Sequence, residues 1–503
     1  MKTTLHPLPR FIRIFCLGLS LIAPGLSAAQ AAGAPVTVTL DPANAAAAPV
    51  SPDFIGLSFE TQRIEPEDGK YYFSPDNAPL IAMFKTLGIK SLRIGGNTVD
   101  NLKVPIPGQA DIDNLFGFAQ AAGVKVIYSF RLRQGDAASE AAQAKYIYDK
   151  YAASLECFSI GNEPDVFIGS TEKYFRDWEP LFTAISTAVP DAKFCGPSLT
   201  SNHDENWSVK MAAIYGPTGK IDFICQHQYS GGAGGAVKDP VVGRDTLLSA
   251  AWIQEKYQKY YDLAVPPLAD SHLPYRMEEA NNFYNGGAKD VSDSFAAALW
   301  GLDYLHFWAS HQTIGVNFHN GDQVAAGQNS APCRYASFTS ADDGYLAHPI
   351  AYGIKLFDLG AHGRSVPVTV ASADPAVNLT AYAFLGDDRA LYVTLINKEH
   401  DAGARDAEVA LNLGAAAAAY AAAYNSAQEI DLQAPNNDVS VKEGMTLGGA
   451  PIQNSGTWQG AWHAVPAASG EAKADGVFHV TVPAASAILI KLGAPALPAV
   501  AGG

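Results

Sequence analysis

Short apolar runs alternate with amphipathic stretches from residue 54 to about residue 360, and this alternation constrains the fold more than any other feature. Most of the runs start about 30–40 residues apart, which is the length of one strand–helix unit. Alternating strands and helices predict a parallel sheet, and eight such units predict a closed (β/α)8 TIM barrel. The eight runs that are typical of buried strands are 54–60, 91–97, 125–133, 156–163, 193–198, 222–229, 275–281 and 313–320.

The segments between these runs carry ordinary helix signals. Residues 78–88 and 112–123 each end at a glycine, a common helix stop. Residues 174–186 and 292–308 show apolar side chains at helical spacing. The connection before 275–281 is longer than the others, so we expect an extra excursion there, over the active face of the barrel.

Polar side chains end most of the predicted strands. The active site of a (β/α)8 barrel lies at the C-terminal ends of its strands. The sequence therefore predicts chemistry at the end of the barrel that carries Glu60, Asn97, Arg131, Glu163, Tyr229, Glu279 and His319.

The pattern changes after residue 362, where short alternating runs are separated by turn residues. This pattern is typical of an antiparallel β-sandwich. We therefore expect a barrel over 49–361 and a C-terminal β-sandwich domain over 362–503, with the early segment 32–48 joining the sandwich as an extra strand. The sandwich runs are 366–372, 377–386, 390–398, 406–411 and 476–492.

The N-terminus has the composition of a secretory signal peptide. Three basic residues precede the apolar run 14–26, and small residues follow it. The apolar run is short and contains Pro24, which favours a cleaved signal over 1–31 and disfavours a membrane anchor. The expected location is secreted or periplasmic.

Charge and cysteine content restrict the partners. The formal net charge is −16. The predicted signal carries three positive charges and no negative ones, so its removal would make the rest of the chain still more acidic. A surface this acidic repels nucleic acids and anionic membranes. Cys157, Cys195 and Cys225 lie among apolar neighbours, so we predict buried free thiols. With Cys333 the count of cysteines after the predicted signal is even, so disulfides among these four are the alternative. No spacing of His and Cys indicates zinc, and no cofactor is expected.

Two glutamates close two of the apolar runs, and they are the candidate catalytic residues. Glu163 ends FSIGNEP, and Glu279 lies in YRMEEANNFYNGG. Two carboxylates at the ends of parallel strands are the groups that hydrolysis of a glycosidic bond requires. In the Asn-Glu-Pro sequence, the side chain of Asn162 can hold a sugar hydroxyl beside Glu163.

Glu278 competes with Glu279 for the second role. Adjacent strand residues point to opposite faces, so we expect only one of them to enter the barrel mouth. We favour Glu279, and we expect Glu278 to form an ion pair with a neighbour such as Arg276.

Four segments resemble glycoside hydrolase family 79, the β-glucuronidase and heparanase family. IGNEP is similar to the acid/base segment of that family, and EANNFYNGG followed by SDSFAAALWGLDYL is similar to its nucleophile segment and helix. LRIGGNTVD resembles a signature of the second strand, and VTVPAASAILIKL resembles the end of the β-sandwich. The resemblance covers nearly all of the chain after the predicted signal, and it implies that Glu163 is the acid/base and Glu279 the nucleophile.

The resemblance also implies how a glucuronic acid is held. Tyr284 is similar to a tyrosine near the sugar carboxylate, and Asn285 stands where the family usually has glycine. Tyr335 is the candidate for a second tyrosine at the carboxylate. Glu60 is similar to a residue that binds a ring hydroxyl, and Tyr229 to a tyrosine beside the nucleophile.

These observations predict a retaining exo-β-glucuronidase that acts on a glycan or glycoconjugate containing glucuronic acid. A heparanase-like endo-β-glucuronidase is the alternative in the same class, and the acidic chain disfavours it. A non-catalytic carbohydrate-binding protein is the alternative in a different class. The Asn-Glu-Pro segment is shared by related barrel glycosidases such as xylosidases and arabinofuranosidases, so only the tyrosines argue for a uronic acid. The sequence does not predict the oligomeric state.

Overall fold

A computed structural model describes residues 33–200, 206–321, 333–413, 426–465 and 477–493. The predicted signal peptide at 1–31 lies outside these ranges. Within them, eight parallel strands form a closed barrel in chain order, as the sequence predicts. The barrel strands are β2 (Ile55–Glu60), β3 (Ser91–Gly95), β4 (Lys125–Phe130), β5 (Leu155–Ile160), β6 (Phe194–Leu199), β7 (Ile221–Tyr229), β8 (Tyr275–Asn281) and β9 (Gly315–His319).

Helices connect the barrel strands. In the fourth of them, the hydroxyl of Ser170 caps the N-terminus by accepting a hydrogen bond from the amide of Lys173, and the buried side chains recur every three or four residues from Tyr174 to Ile185. The helices are α1 (Ala78–Thr86), α2 (Gln109–Ala122), α3 (Ala137–Tyr151), α4 (Thr171–Ala188), α5 (Asn206–Tyr215), α6 (Pro240–Leu248), α7 (Ala250–Trp252), α8 (Lys259–Ala264), α9 (Phe295–Ser310) and α10 (Pro349–Gly360).

The long connection between β7 and β8 contains α6, α7 and α8, and a π-helical segment, Ile253–Gln258, joins the last two. Gln228 at the end of β7 donates a hydrogen bond from Nε2 to the carbonyl of Lys256, 3.0 Å away. The predicted excursion is therefore helical, and this hydrogen bond ties it to the C-terminal end of the barrel.

The C-terminal residues form two sheets that share one apolar core. Their strands are β1 (Ala34–Leu40), β12 (Arg364–Val366), β13 (Val368–Ala371), β14 (Leu379–Leu385), β15 (Leu391–Asn397), β16 (Ala407–Asn412), β17 (Ser426–Gln433), β18 (Thr446–Leu447), β19 (His463–Ala464), β20 (Val477–Val482) and β21 (Ser486–Gly493). One sheet has the order β13-β1-β16-β20, and the other has the order β12-β14-β15-β21-β17-β18, with β19 paired to β17. A separate hairpin, β10 (Phe338–Ala341) with β11 (Gly344–Ala347), precedes α10.

Three details of the sandwich differ from expectation. The early strand β1 joins it, but β1 runs parallel to β16, so this sheet is mixed. The single run predicted at 476–492 is two strands, because the chain turns at 483–485 and passes from one sheet to the other. The strand β17 was not predicted, although it pairs along its length with β21.

Helix α9, which lies between β8 and β9 in the sequence, contacts the sandwich. All but its last residue are buried, and Asp303 on this helix accepts hydrogen bonds from Thr380 and Tyr382 of β14. Across the described ranges we find no helix with both the length and the apolar character that a membrane span requires.

Candidate active site

A cavity of about 1000 Å³ opens at the C-terminal ends of the barrel strands. Its position agrees with the site that the strand-end residues predict. Seven of the eight predicted site residues line it, namely Glu60, Glu163, Tyr229, Glu279, Tyr284, Asn285 and Tyr335. The eighth, Asn162, is buried next to Glu163 and does not line the cavity.

Glu163 lies just beyond β5 in a left-handed backbone conformation, with φ 45° and ψ 51°. Its amide donates a hydrogen bond to the carbonyl of Ser198 on β6, and Pro164 starts a 3-10 turn directly after it. A non-glycine residue in this conformation is strained, and such strain is often found at functional positions. The side chain is one-fifth exposed to the cavity, and its Oε1 lies 3.1 Å from Nδ1 of His227.

Glu279 lies on β8 and is held by donors on both of its oxygens. Arg93 Nη1 donates to Oε2 over 2.5 Å, and the hydroxyl of Tyr229 donates to Oε1 over 2.7 Å. Burial opposes ionisation, but His319, His227 and Arg93 outweigh it and, together with the Tyr229 hydroxyl, lower the pKa of Glu279 to about 2. Glu279 is therefore ionised at neutral pH.

The two candidate catalytic carboxylates face each other across the floor of the cavity. One oxygen of Glu163, one oxygen of Glu279 and one ring nitrogen of His227 lie within 4.8 Å of one another. The barrel thus brings together two glutamates that are 116 positions apart in the sequence.

Glu278 does not follow the simple alternation of a strand. The pairing of β8 with β7 is irregular at this residue, since Met277 pairs with Gln226 and Glu279 pairs with the next residue, His227. A bulge of this kind re-aims side chains, and both glutamates contact Arg93. The expectation that they point to opposite faces was therefore wrong, although only Glu279 lines the cavity.

The expected ion pair between Glu278 and Arg276 is also absent among the described contacts. Arg276 instead pairs with Asp53, with 3.2 Å between Nη1 and Oδ2. Glu278 is fully buried, and its Oε1 lies 3.4 Å from Nε2 of His227 and 3.5 Å from Nη2 of Arg93. Burial opposes its charge, but Arg93 and His227 outweigh this effect and lower the pKa of Glu278.

His227 links the two sides of the site. Burial disfavours the protonated ring, but the carboxylates of Glu279, Glu163 and Glu278 outweigh burial and raise the pKa of His227 to about 9. At neutral pH both ring nitrogens therefore carry protons, so that Nδ1 donates to Glu163 and Nε2 donates to Glu278.

Two of the other predicted residues, Glu60 and Asn162, form hydrogen bonds with neighbouring side chains. Glu60 accepts hydrogen bonds at Oε2 from the amide and the hydroxyl of Thr98. Asn162 accepts from Arg93 at Oδ1 and donates to Asn97, so it holds Arg93 in place. Its contact with a sugar stays a prediction.

The tyrosines form one side of the cavity. The ring of Tyr229 lies 6.2 Å from that of Tyr284 and 6.1 Å from that of Tyr335, measured between centroids. Asn285 has φ 59°, the left-handed region that favours glycine and that asparagine tolerates better than most residues. The asparagine therefore keeps a loop conformation for which glycine is usual.

Cys157, Cys195 and Cys225 are buried thiols that form no disulfide, as predicted, and Cys333 is not part of a disulfide within the described ranges either. Cys195 donates to Oε2 of Glu278, and with Cys225 these residues place three potential metal ligands within 4.8 Å of one another. Glu163, His227 and Glu279 form a second group of this kind. The protonated His227 has no free lone pair for a metal, so hydrogen bonding describes the second group better than metal binding.

The family model that matches this chain covers part of the sandwich domain. Residues 381–489 match the model of the glycosyl hydrolase family 79 C-terminal beta domain. The resemblance to glycoside hydrolase family 79 is confirmed. The matched residues cover much of the sandwich, which carries none of the residues at the cavity floor.

Two curated relatives support the family 79 resemblance. A β-glucuronidase of Aspergillus niger is 25% identical over 189 residues, which cover 33% of this chain and 34% of that protein. Heparanase-like protein 1 of Arabidopsis thaliana is 24% identical over 296 residues, which cover 48% of this chain and 53% of that protein. The chain thus spans about a third to a half of the length of these relatives.

Solved structures confirm the fold. A 4-O-α-L-rhamnosyl-β-D-glucuronidase from Fusarium oxysporum superimposes with a TM-score of 0.67 and 19% identity, over 90% of this chain and 100% of that chain. A family 51 arabinofuranosidase from Xanthomonas axonopodis pv. citri gives a TM-score of 0.65 and 15% identity, over 91% of this chain and 100% of that chain. Proteins named for different sugars share this architecture, so the fold alone does not select the substrate.

Sequence reasoning missed the roles of Arg93 and His227. Arg93 is fully buried and contacts Glu278, Glu279 and Asn162. A signal for it exists, since an arginine inside an apolar barrel strand needs a buried carboxylate partner. His227 gives no comparable signal, because a histidine in a strand is compatible with either face.

Proposed function

We propose that the protein is a retaining exo-β-glucuronidase in which Glu163 is the acid/base and Glu279 the nucleophile. One observation carries this proposal: one oxygen of Glu163 lies within 4.8 Å of one oxygen of Glu279 at a cavity, and the surroundings of the two carboxylates differ. Glu279 is nearly buried among positive groups and hydrogen-bond donors, whereas Glu163 is more exposed and contacts His227. The β-glucuronidase named among the family 79 relatives supports the choice of sugar.

In the first step, an ionised oxygen of Glu279 attacks the anomeric carbon, and the glycosidic bond breaks. Glu163 donates its proton to the departing oxygen, and a glucuronyl ester forms on Glu279. Retaining enzymes of this type have carboxyl groups about 5–5.5 Å apart, whereas inverting enzymes leave about 6.5–9.5 Å for a water molecule. The short separation observed here supports the retaining mechanism.

In the second step, Glu163 acts as a base and takes a proton from water. The resulting hydroxide attacks the anomeric carbon, the ester bond breaks, and Glu279 leaves as a carboxylate. Configuration is retained because two inversions occur in succession. Arg93 and Tyr229 donate hydrogen bonds to the carboxylate of Glu279 in the free enzyme. The same hydrogen bonds stabilise the carboxylate when it leaves.

The tyrosine side of the cavity is the proposed site for the uronic acid carboxylate. Phenolic hydroxyls donate hydrogen bonds to carboxylates, and Tyr284 and Tyr335 both face the cavity near Tyr229. Glu60 ends β2, the strand that pairs with β9, and lines the same cavity. We propose that it accepts a hydrogen bond from a ring hydroxyl.

A panel of 4-nitrophenyl glycosides tests the proposed sugar and the proposed stereochemistry. We expect hydrolysis of the β-glucuronide and at least about 100-fold lower kcat/KM for the β-glucoside and the β-xyloside, because both lack the carboxylate. Proton NMR of the first product should show the β-anomer. Turnover of all three sugars at similar rates would contradict the uronic acid site, and an initial α-anomer would contradict retention.

Addition of a heparan-type polymer to this panel separates the two alternatives. A heparanase-like endo enzyme would cleave a heparan-type polymer internally and the aryl glucuronide poorly. A carbohydrate-binding protein would bind glucuronides without hydrolysing any of them. The charge of −16 favours the exo enzyme acting on small glucuronides, because long sulfated polymers are repelled.

A further inference from the structure

Glu278 lies beneath the cavity and contacts the two groups that hold the candidate catalytic carboxylates. Its Oε1 is 3.5 Å from Nη2 of Arg93 and 3.4 Å from Nε2 of His227. Arg93 binds Glu279 through its other terminal nitrogen, and His227 binds Glu163 through its other ring nitrogen. Glu278 is therefore one contact away from each carboxylate, although it is not exposed to the cavity.

Uncharged donors fix the orientation of Glu278. The hydroxyl of Ser198 donates to Oε1 over 2.6 Å, and the thiol of Cys195 donates to Oε2 over 3.4 Å. The bulge in β8 directs the side chain into the barrel. A carboxylate buried in this way costs free energy unless charged partners accompany it, so its position is explained by what it does to those partners.

We propose that Glu278 is a positioning residue, which orients Arg93 and His227 toward the reacting carboxylates and keeps the ring of His227 protonated on both nitrogens. This inference rests on the proposed function, in which Glu163 and Glu279 react. Glu278 touches neither the cavity nor the sugar, so it acts only through Arg93 and His227.

The charges around His227 account for the second part of the proposal. Glu163 faces it from the end of β5, Glu278 and Glu279 face it from β8, and Arg93 faces it from β3. Three carboxylates thus surround the ring against one guanidinium. Loss of the carboxylate charge at Glu278 removes one of the three negative charges that favour the protonated ring and so lowers the pKa of His227.

The variant Glu278→Gln keeps the shape of the side chain and removes its charge. On 4-nitrophenyl β-glucuronide we expect kcat to fall at least about tenfold, because an orienting carboxylate is lost. KM should change by less than about threefold, since Glu278 does not line the cavity, and the alkaline limb of kcat should move about one pH unit lower. The matched control is Ser198→Ala, which removes a neutral donor to the same oxygen and leaves the charge in place. Its alkaline limb should stay where it is.

A purely structural role predicts a different result. Glu278→Gln would then lower the melting temperature and the folded fraction, while kcat per folded molecule and the alkaline limb would match those of the unaltered protein. That outcome overturns the proposal, as does an equal shift of the limb in Ser198→Ala.

Nitrogen-15 NMR of the unaltered, histidine-labelled protein decides the point if Glu278→Gln does not fold. The His227 signals are assigned by their disappearance in His227→Gln. At pH 8 and without substrate, both ring nitrogens should be protonated, and a neutral ring would overturn the proposal. Because no turnover is needed, failure of the proposed function appears separately, as absence of hydrolysis on every glucuronide.

Discussion

Two buried ionic clusters in this molecule are built in opposite ways. The mouth cluster consists of Arg93, His227, His319, Glu163, Glu278 and Glu279, and it gathers three carboxylates around one guanidinium and two imidazoles. The second is the Asp303–Lys398 pair between α9 and the sandwich, which has one charge of each sign and 3.1 Å between Lys398 Nζ and Asp303 Oδ2.

The two clusters differ in whether their charged groups are accessible from a cavity. The other oxygen of Asp303 accepts hydrogen bonds from the hydroxyls of Thr380 and Tyr382, and both charged residues of the pair are almost fully buried. All of these contacts join the barrel to the sandwich. In the mouth cluster, by contrast, Glu163 and Glu279 open to a cavity. A balanced, enclosed pair serves packing, whereas several coupled titratable groups at a cavity serve chemistry.

The largest expected effect comes from Glu279→Gln in the mouth cluster. The amide cannot attack the anomeric carbon, so kcat on 4-nitrophenyl β-glucuronide should fall about 10⁴-fold or more. The fold should persist, because the amide oxygen can still accept from Arg93, while the hydroxyl of Tyr229 can accept from the amide nitrogen. Steady-state kinetics and circular dichroism on the same preparation measure the two quantities.

The control for this variant is Asp149→Asn, which changes a carboxylate in an exposed pair with Lys145 on α3. Its kcat should stay within about twofold of the unaltered value, because exposed pairs contribute little. If Glu279→Gln were as active as this control, Glu279 would not be the nucleophile, and the contrast between the clusters would lose its functional meaning.

The parts of the mouth cluster differ in how far the sequence predicts them. Glu163 and Glu279 each end an apolar run, and the C-terminal ends of barrel strands meet at one face, so their proximity follows from periodicity alone. The placement of Glu278 does not, because it depends on a bulge in β8 that no residue type announces. His227 acquires its role only through the three carboxylates that the closed barrel brings to it.

In the sandwich, too, the sequence predicts some features and not others. Alternating runs predict most of its strands, but strand direction depends on partners that are far apart in sequence. Thus β1 pairs in parallel with β16, although the two strands are separated by the whole barrel. The Asp303–Lys398 pair is equally non-local, and nothing near Asp303 in the sequence indicates a lysine 95 residues later.

Breaking the Asp303–Lys398 pair should lower stability and leave chemistry intact. Asp303→Asn leaves a buried lysine charge without its counter-charge, so the free energy of unfolding should fall by about 3 kcal/mol. The activity per folded molecule should match that of the unaltered protein. Urea unfolding followed by tryptophan fluorescence measures the first quantity, and kinetics at low urea measure the second.

The double variant Asp303→Asn, Lys398→Met sharpens this result. It removes the unpaired charge, and replacement of a buried pair by apolar groups is often nearly neutral, so most of the lost stability should return. A double variant as unstable as the single one would show that the hydroxyls of Thr380 and Tyr382, rather than the charges, hold the two domains together.

The smallest effect, and the one that compares both clusters in one experiment, is the dependence of stability on pH. The pKa of His227 is raised from 6.5 to about 9 in the folded protein, so its contribution to stability is complete below pH 6.5 and is lost as the pH rises through about 9. Between these limits the free energy of unfolding should decrease, by at most about 3 kcal/mol from this group. His227→Asn should remove the part of this decrease that His227 causes. Asp303→Asn should instead lower the free energy of unfolding by the same amount at pH 6.5 as at about pH 9. Equal slopes in the unaltered protein and in His227→Asn would mean that the carboxylates of the mouth cluster do not hold the ring in its charged form.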